Sequence, residues 1–466
     1  MIEQAWDPYR ELSDLPIEDR LTRCQNQLQQ WNQTVFGNVN KNLRRKQTHL
    51  QQLESLNSLN DNEAEIRELR KEVNEVLTRE EIMWKQRSRV EWLQNGDRNT
   101  EFFHATASET KVVILDYFKN IFKFDYPTNF GASLDAFEES ITPEMNKEFL
   151  KEFKLDEVRR ALNQMHTTKA PGPNSMPPLF FQKYWDIIGP CVLDCVLQAL
   201  NSGTMTPHAN ETYICLVPKA KNPQKITKFR PISLCIVIYK IMSKVLANRL
   251  KKILPKVISE AQSAFVLGML ITDNVLVAFE TMHTIDQRRK GKGGLMAIKL
   301  DMSKAYDRVE WPYLEVIMQR MGFKDKWVSL IMMCVTTVSY FVLINRELRG
   351  SIIPTRGLQQ GEPISPYLFL LCAEGLSAMI KSKESLGRLR GVSVKKGAPR
   401  ISHLFFADDS LIFCRATIGD CAQIVEVLTT YEKESKQKLN KEKTSLFFNK
   451  NSSSEIQEMA KETFGA

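Results

Sequence analysis

The chain has 466 residues, long enough for two or three domains with real cores, and its 43% hydrophobic and 26% charged content is that of an ordinary folded protein. No apolar run approaches the ~18 residues that a membrane span needs. The polar, acidic start is no secretory signal. Nine singly scattered cysteines read as thiols of a reducing compartment and argue against a disulfide framework or a zinc site. The net charge of +9 permits a polyanionic partner without requiring one.

Residues 1–110 are predicted to be a helical extension. Ile66, Leu69, Val73 and Val76 recur at spacings of three and four. Leu50, Leu53 and Leu56 form an earlier stripe, and Asn60-Asp61 breaks the two apart. A helical hairpin with a solvated face follows, since the stripes are too short for a coiled coil. Lys85, Arg87, Arg89 and Arg98 interleave with Trp84 and Trp92, a pattern that can grip a phosphate backbone but is weak alone. Residues 111–165 read as helical, with loops at Pro127 and Pro143, and 169–175 is a Pro-Gly-Pro loop. Residues 176–203 return to helix, and 210–218 form a strand closed by Pro218. A strongly periodic helix is predicted over 234–254, with Ile238, Ile241, Val245 and Leu250 on one face and Lys240, Lys244, Arg249, Lys251 and Lys252 on the other. Residues 451–466 read as a loose tail.

Two later segments place acids beside β-forming runs. Leu295-Met-Ala-Ile-Lys-Leu-Asp301 is an apolar strand ending in a carboxylate, and His403-Leu-Phe-Phe-Ala-Asp-Asp409 continues into a second apolar run. Adjacent aspartates between strands suggest a hairpin with both carboxylates at its tip. If Asp301 lies beside that tip, three carboxylates meet, and such a cluster repels itself unless cations neutralise it. Oxygen donors suit magnesium. Two such ions ~3.5–4 Å apart stabilise attacking and leaving oxygens in phosphoryl transfer. Read alone, the same residues also fit ordinary turn chemistry and a helix cap.

The surrounding motifs narrow these alternatives. Lys299-Leu-Asp-Met-Ser-Lys-Ala-Tyr-Asp-Arg-Val-Glu-Trp311, Gly357-Leu-Gln-Gln-Gly-Glu-Pro-Ile-Ser-Pro-Tyr-Leu-Phe369 and Phe406-Ala-Asp-Asp409 occur in this order. They resemble successive palm motifs of LINE-type non-LTR retrotransposon reverse transcriptases. Phe229-Arg-Pro-Ile-Ser-Leu234 and Lys169-Ala-Pro-Gly-Pro173 resemble that family's fingers motifs, and the wording is most similar to its plant members. The resemblance runs from about residue 20 to 450.

It implies an α+β fold: a right-hand polymerase palm and fingers over 205–450. The palm is an antiparallel sheet backed by helices, one of them 366–381, and 111–204 links the core to the helical extension. It implies an RNA-directed DNA polymerase working on an RNA template, a DNA primer and deoxynucleoside triphosphates, with two Mg2+ ions or Mn2+ in their place. The family acts in the nucleus or cytoplasm. Asp301, Asp408 and Asp409 match the metal-binding aspartates, and Tyr306 matches the aromatic gate that clashes with a 2′-hydroxyl. Gln360 and Gly361 match the pair beside nucleotide and template, where glycine lets the backbone approach closely. Lys219 and Arg230 match cations on the triphosphate, and Lys443 a lysine beside the pyrophosphate. Ser365 and Pro366 suit the N-cap and first position of their helix.

The chain also departs from the family pattern. Family members usually have about two dozen more residues between the segments that match Phe102-Phe-His-Ala105 and Ile114-Leu-Asp-Tyr-Phe118, which reads as an internal deletion or a mispredicted splice. Asn174-Ser175 stands for Asp-Gly, Gln359 for Arg near the nucleotide or template, Glu362 for Asp, Asn345-Arg346 for Asn-Gly and Lys436 for Gly. Endonuclease, thumb, zinc-knuckle and RNase H regions are expected to be absent. The competing expectation is therefore a catalytically inactive remnant that at most binds nucleic acid.

Overall fold

The computed structural model describes all residues except 1, 7–14, 37–38, 57–62, 78–106, 126–129, 222, 224, 289–292, 345–346 and 466. Its strands are β1 (Glu211–Pro218), β2 (Phe229–Cys235), β3 (Gly294–Asp301), β4 (Ser339–Ile344), β5 (Glu347–Ile352), β6 (Val392–Ser393), β7 (Arg400–Ile401), β8 (His403–Phe406), β9 (Asp409–Ala416) and β10 (Ser445–Phe448). They form a four-stranded sheet in the order β2-β1-β4-β5, a second in the order β10-β3-β9-β8, and the small ribbon β6-β7. The second sheet is antiparallel throughout, as expected of the palm. The first is mixed, because β1 and β4 run parallel. Sheets set among many helices make the fold α+β.

The antiparallel sheet is covered on both faces, which explains why β3 is almost continuously apolar. Alternate residues point opposite ways. Met296, Ile298, Leu300, Ile412 and Cys414 join the main core, whereas Leu295, Ala297, Leu404 and Phe413 pack with Ile285 of the helix Ile271–Gln287. The main core also takes in the helix Ser365–Ser385, which is buried along most of its length. That helix starts one residue before and ends four after the expected 366–381.

Near the N-terminus, the helix Val39–Leu56 packs on a helix at 63–77. Leu43, Val73 and Val76 bury one another with Leu50 against them, and the ion pairs Lys46–Glu72 and Arg70–Glu54 span the hairpin. The stretch from Lys85 to Arg98 and the segment Phe102-Phe-His-Ala105 lie outside the described residues.

The segment expected as one helix over 176–203 is two, Pro178–Lys183 and Trp185–Ser202, ended by Gly203 in the left-handed region (φ 76°). The periodic helix runs Val237–Lys251, because β2 holds the chain to Cys235. Its basic face is solvated only in part: Lys252 is exposed and Lys244 and Lys251 are half-buried, but its other two cations are buried. Lys240 is buried and its Nζ donates to Ala170 O at 2.9 Å. Arg249 is buried too, and donates to Glu157 and to the carbonyls of Phe149, Lys151 and Glu152. Periodicity finds the apolar stripe but not these partners, which come from 70 to 100 residues away. Lys240 thus ties down the 169–175 loop. That loop lies so close to β2 that a Cβ on Gly172 would sit 2.3 Å from the Cys235 carbonyl carbon.

Candidate active site

The hairpin β8–β9 has a two-residue turn, with Phe406 opposite Asp409 and Ala407-Asp408 between them. Ala407 adopts φ 53°, a left-handed conformation that L-residues rarely accept. The distortion is braced from outside the hairpin. Ala407 N donates to Gln262 Oε1 at 3.1 Å, and the same oxygen accepts from Ala264 N at 2.9 Å. Strand β3 pairs with β9 so that Asp301 lies opposite Asp409. Three carboxylates from two distant segments therefore stand at adjoining strand ends.

Their electrostatics show mutual proximity. Burial pushes the Asp408 carboxyl above the usual range, and the charges of Asp409 and Asp301 push it the same way while Lys443 opposes them. Lys443 Nζ lies 2.9 Å from Asp301 Oδ2, and Asn440 Nδ2 donates to Asp301 Oδ1 at 3.3 Å. Among the described residues no three Asp, Glu, His or Cys side chains close into a metal-holding group. The donor set nevertheless suits a hard divalent ion: all-oxygen, like-charged, and already drawing an ammonium onto Asp301.

Cations come from the other sheet. Strands β1 and β2 form a hairpin that sets Val217 opposite Arg230, and Lys219 N bonds Lys228 O at 2.8 Å just beyond it. Both side chains are exposed. The Lys219 pKa is lowered by burial first, then by Arg230 and Lys443, with Asp307 and Asp301 opposing. Lys219, Arg230, Lys443 and Asp301 therefore share one electrostatic neighbourhood.

Tyr306 is half-buried and stacks on Phe369, ring centroids 5.1 Å apart and planes at 17°. Burial raises its phenol pKa, helped by the nearby Asp408 charge. Gly361 is exposed with φ 102°, a conformation that favours glycine. The preceding residue is pinned twice: Ser233 N bonds Gln360 O at 2.8 Å, and Gln360 Nε2 bonds Asp307 Oδ1 at 2.9 Å.

Several expectations need correction. Gln359 faces the core rather than a nucleotide. It is 3% exposed, its Nε2 donates to Asn210 Oδ1 at 2.8 Å, and its Oε1 accepts from Cys235 Sγ. Ser365 does not cap its helix; its hydroxyl donates to Glu362 Oε2 at 2.7 Å. Glu362 is buried and also accepts from Tyr239. Ser175, standing where the family pattern has glycine, does take the positive φ that such a turn needs, 54°, and Lys436 has φ 55°. Asn345-Arg346 lies outside the described residues, although Ile344 and Glu347 pair across it.

Sequence reasoning missed three residues here. Asp307 lies inside a quoted motif but only two acids were sought for the hairpin and one for β3. Gln262 carries no local signal, and Lys169 reaches Gly361 O at 3.4 Å from a loop 192 residues away.

The family model described as "Reverse transcriptase (RNA-dependent DNA polymerase)" matches residues 217–460, just over half of the chain. The Xenopus laevis protein "Transposon TX1 uncharacterized 149 kDa protein" is 29% identical over 77% of this chain and 29% of its own length. An uncharacterized mitochondrial protein of Arabidopsis thaliana is 50% identical over 15% of this chain and 56% of its own. The "Retrovirus-related Pol polyprotein from type-1 retrotransposable element R2" of Nasonia vitripennis is 25% identical over 54% of this chain and 23% of its own. The chain thus spans less than a third of the Xenopus and Nasonia proteins. Among the described residues no helix is long and apolar enough to cross a membrane.

Proposed function

The chain belongs to the reverse transcriptase family, with LINE-type non-LTR retrotransposon proteins among its relatives, and on that premise we propose that it is an RNA-directed DNA polymerase core. It extends a DNA primer on an RNA template with deoxynucleoside triphosphates. Residues 205–450 serve as fingers and palm, 1–110 as a helical extension and 111–204 as the link between them; 451–466, expected as a loose tail, instead carries the helix Ser454–Phe464, whose Ala460 and Phe464 join the main core. The observation that carries the reading is the β3–β9 register, which sets Asp301 against Asp409 with Asp408 in the adjoining turn.

Asp301, Asp408 and Asp409 would hold magnesium, or manganese in its place. When bound, two such ions supply the charge that acidifies the primer hydroxyl and stabilises the departing pyrophosphate. The chain's own groups do the rest. Lys219 and Arg230 bind the triphosphate, as a point charge and a planar donor fork suit its oxygens. The Tyr306 ring, held by Phe369, closes the space a 2′-hydroxyl would need. Gly361 lets the backbone approach the nucleotide. Lys443 holds its proton at Nζ beside the leaving group.

A second reading is a catalytically inactive protein that binds nucleic acid only. The Lys443–Asp301 ion pair favours it, since in this conformation a carboxylate needed for the metal is already engaged. Primer extension on an RNA template, beside an Asp408→Ala/Asp409→Ala control, separates the two. The polymerase reading expects template-directed extension that falls at least ~10³-fold in the control, because the metal's charge stabilisation goes with its ligands. Duplex binding with no extension above the control sinks it and leaves the binding module.

A further inference from the structure

Asp307 follows the Tyr306 gate but points elsewhere. It is 1% exposed, on a short 3-10 turn (Tyr306–Arg308) strapped to the glutamine loop by backbone bonds. Gly357 N donates to Val309 O and Leu358 N to Tyr306 O, both at 2.8 Å. A Cβ on Gly357 would lie 2.9 Å from Asp307 O, so the two segments are in backbone contact. Asp307 Oδ1 accepts a hydrogen bond from Gln360 Nε2 at 2.9 Å, while Oδ2 is buried without a hydrogen-bond partner. Lys304, Lys219 and Arg308 surround it electrostatically, and Tyr117 lies in the same field.

The chemistry of the pair fixes an orientation. An ionised carboxylate only accepts hydrogen bonds, whereas a primary amide has a donating and an accepting end. Gln360 must therefore give its NH2 group to Asp307, which leaves its Oε1 as the end free to meet a ligand. Gln360 itself is half-buried and borders the exposed Gly361.

We propose that Asp307 is a positioning residue that locks the Gln360 amide so that it turns its carbonyl oxygen, a hydrogen-bond acceptor, toward the incoming deoxynucleotide. The proposal deepens the polymerase reading and rests on it. Asp307 does not touch substrate; it acts through Gln360. Burial pushes the Asp307 carboxyl up to about 6, so it is ionised, and the lock is engaged, at neutral and alkaline pH. The same burial makes its charge a burden on the fold. The folded state holds the proton more tightly than the unfolded one, so stability falls as pH rises from about 4 to about 6 and stays reduced above that.

The test is Asp307→Asn. Its amide keeps the shape but can accept or donate, so Gln360 is free to turn either end outward. Equilibrium binding of dTTP to the chain on a dideoxy-terminated template–primer with Mg2+ reads the effect without turnover. We expect Kd to rise about five-fold, near the worth of one hydrogen bond, while the melting temperature at pH 8 rises. In a Gln360→Met background the same substitution changes Kd by less than two-fold. An unchanged Kd overturns the proposal. So does an equal loss in the Gln360→Met background, or a fall in melting temperature alongside the weaker binding, which marks a merely structural role. A wild-type chain that binds dTTP but does not extend primer overturns the polymerase reading alone; one that forms no ternary complex overturns both.

Discussion

The hairpin β1–β2 and the helix Val237–Lys251 are neighbours in sequence, and each brings cations that look interchangeable on paper. The hairpin holds Lys219 and Arg230 exposed at its loop end, within the field of Asp301 and Lys443. The helix buries Lys240 and Arg249, which donate hydrogen bonds to backbone carbonyls and to Glu157. A buried cation persists only when its donors are filled, and then it serves as a strut. An exposed one keeps its donors for a ligand. The helix therefore ties the segment around 149–172 to the core, and the hairpin leaves its charges for a triphosphate.

Arg249→Ala breaks this comparison most severely. It leaves Glu157 unpaired and removes the donor from three carbonyls, and it deletes the contact of the guanidinium over the Phe153 ring at 3.5 Å. Removing one partner of a buried pair is strongly destabilising, and since Glu157 is partly exposed a loss of about 3 kcal/mol is expected. Urea unfolding followed by tryptophan fluorescence reads it. A change under about 0.5 kcal/mol, the range of ordinary surface substitutions, would mean that Arg249 is no strut.

Lys219→Ala and Arg230→Ala probe the other side. Each should raise the KM for deoxynucleotide about ten-fold, the worth of a charge-assisted hydrogen bond, with kcat and unfolding free energy little changed. Steady-state extension across a dTTP series gives the split. A loss carried by kcat instead, or one matched by Lys240→Met at equal folded fraction, would erase the distinction between ligand cations and struts.

How far these roles could be read beforehand depends on where each partner sits in the chain. Strand β3 and the Asp408-Asp409 hairpin were legible because pattern and turn chemistry are local. The antiparallel sheet followed from the family resemblance. The burial of Lys240 and Arg249 was not legible because their acceptors lie far away in sequence, and helical periodicity reports only which residues share a face. Gln359 was misread for the same reason: its partners Asn210 and Cys235 belong to the other sheet's segments. Gln262, which braces the strained Ala407, has no local pattern at all. The Asp307–Gln360 bond joins two motifs that were both noticed, yet nothing in either one says they touch.

The smallest effect concerns a backbone position. The helix Ile418–Ser435 ends on Lys436 in the left-handed region, φ 55° and ψ 11°, where the family pattern has glycine. A Cβ in that conformation costs roughly 1–2 kcal/mol, since it crowds the following carbonyl oxygen. Glycine adopts the conformation freely but gives up more backbone entropy on folding, about 0.5–1 kcal/mol. Lys436→Gly should therefore stabilise the chain by about 0.5–1 kcal/mol, a rise of one or two degrees in melting temperature for a protein of this size. The position lies three residues before Leu439-Asn440, and Asn440 N bonds Asp301 O at 2.8 Å, so the helix end also sets the 3-10 turn Lys441–Lys443 that carries Lys443. A gain in stability with unchanged dTTP affinity identifies Lys436 as strain the fold merely tolerates. A gain in stability with weaker affinity makes the left-handed lysine part of what holds Lys443 against Asp301, and a loss of stability contradicts the strain argument itself.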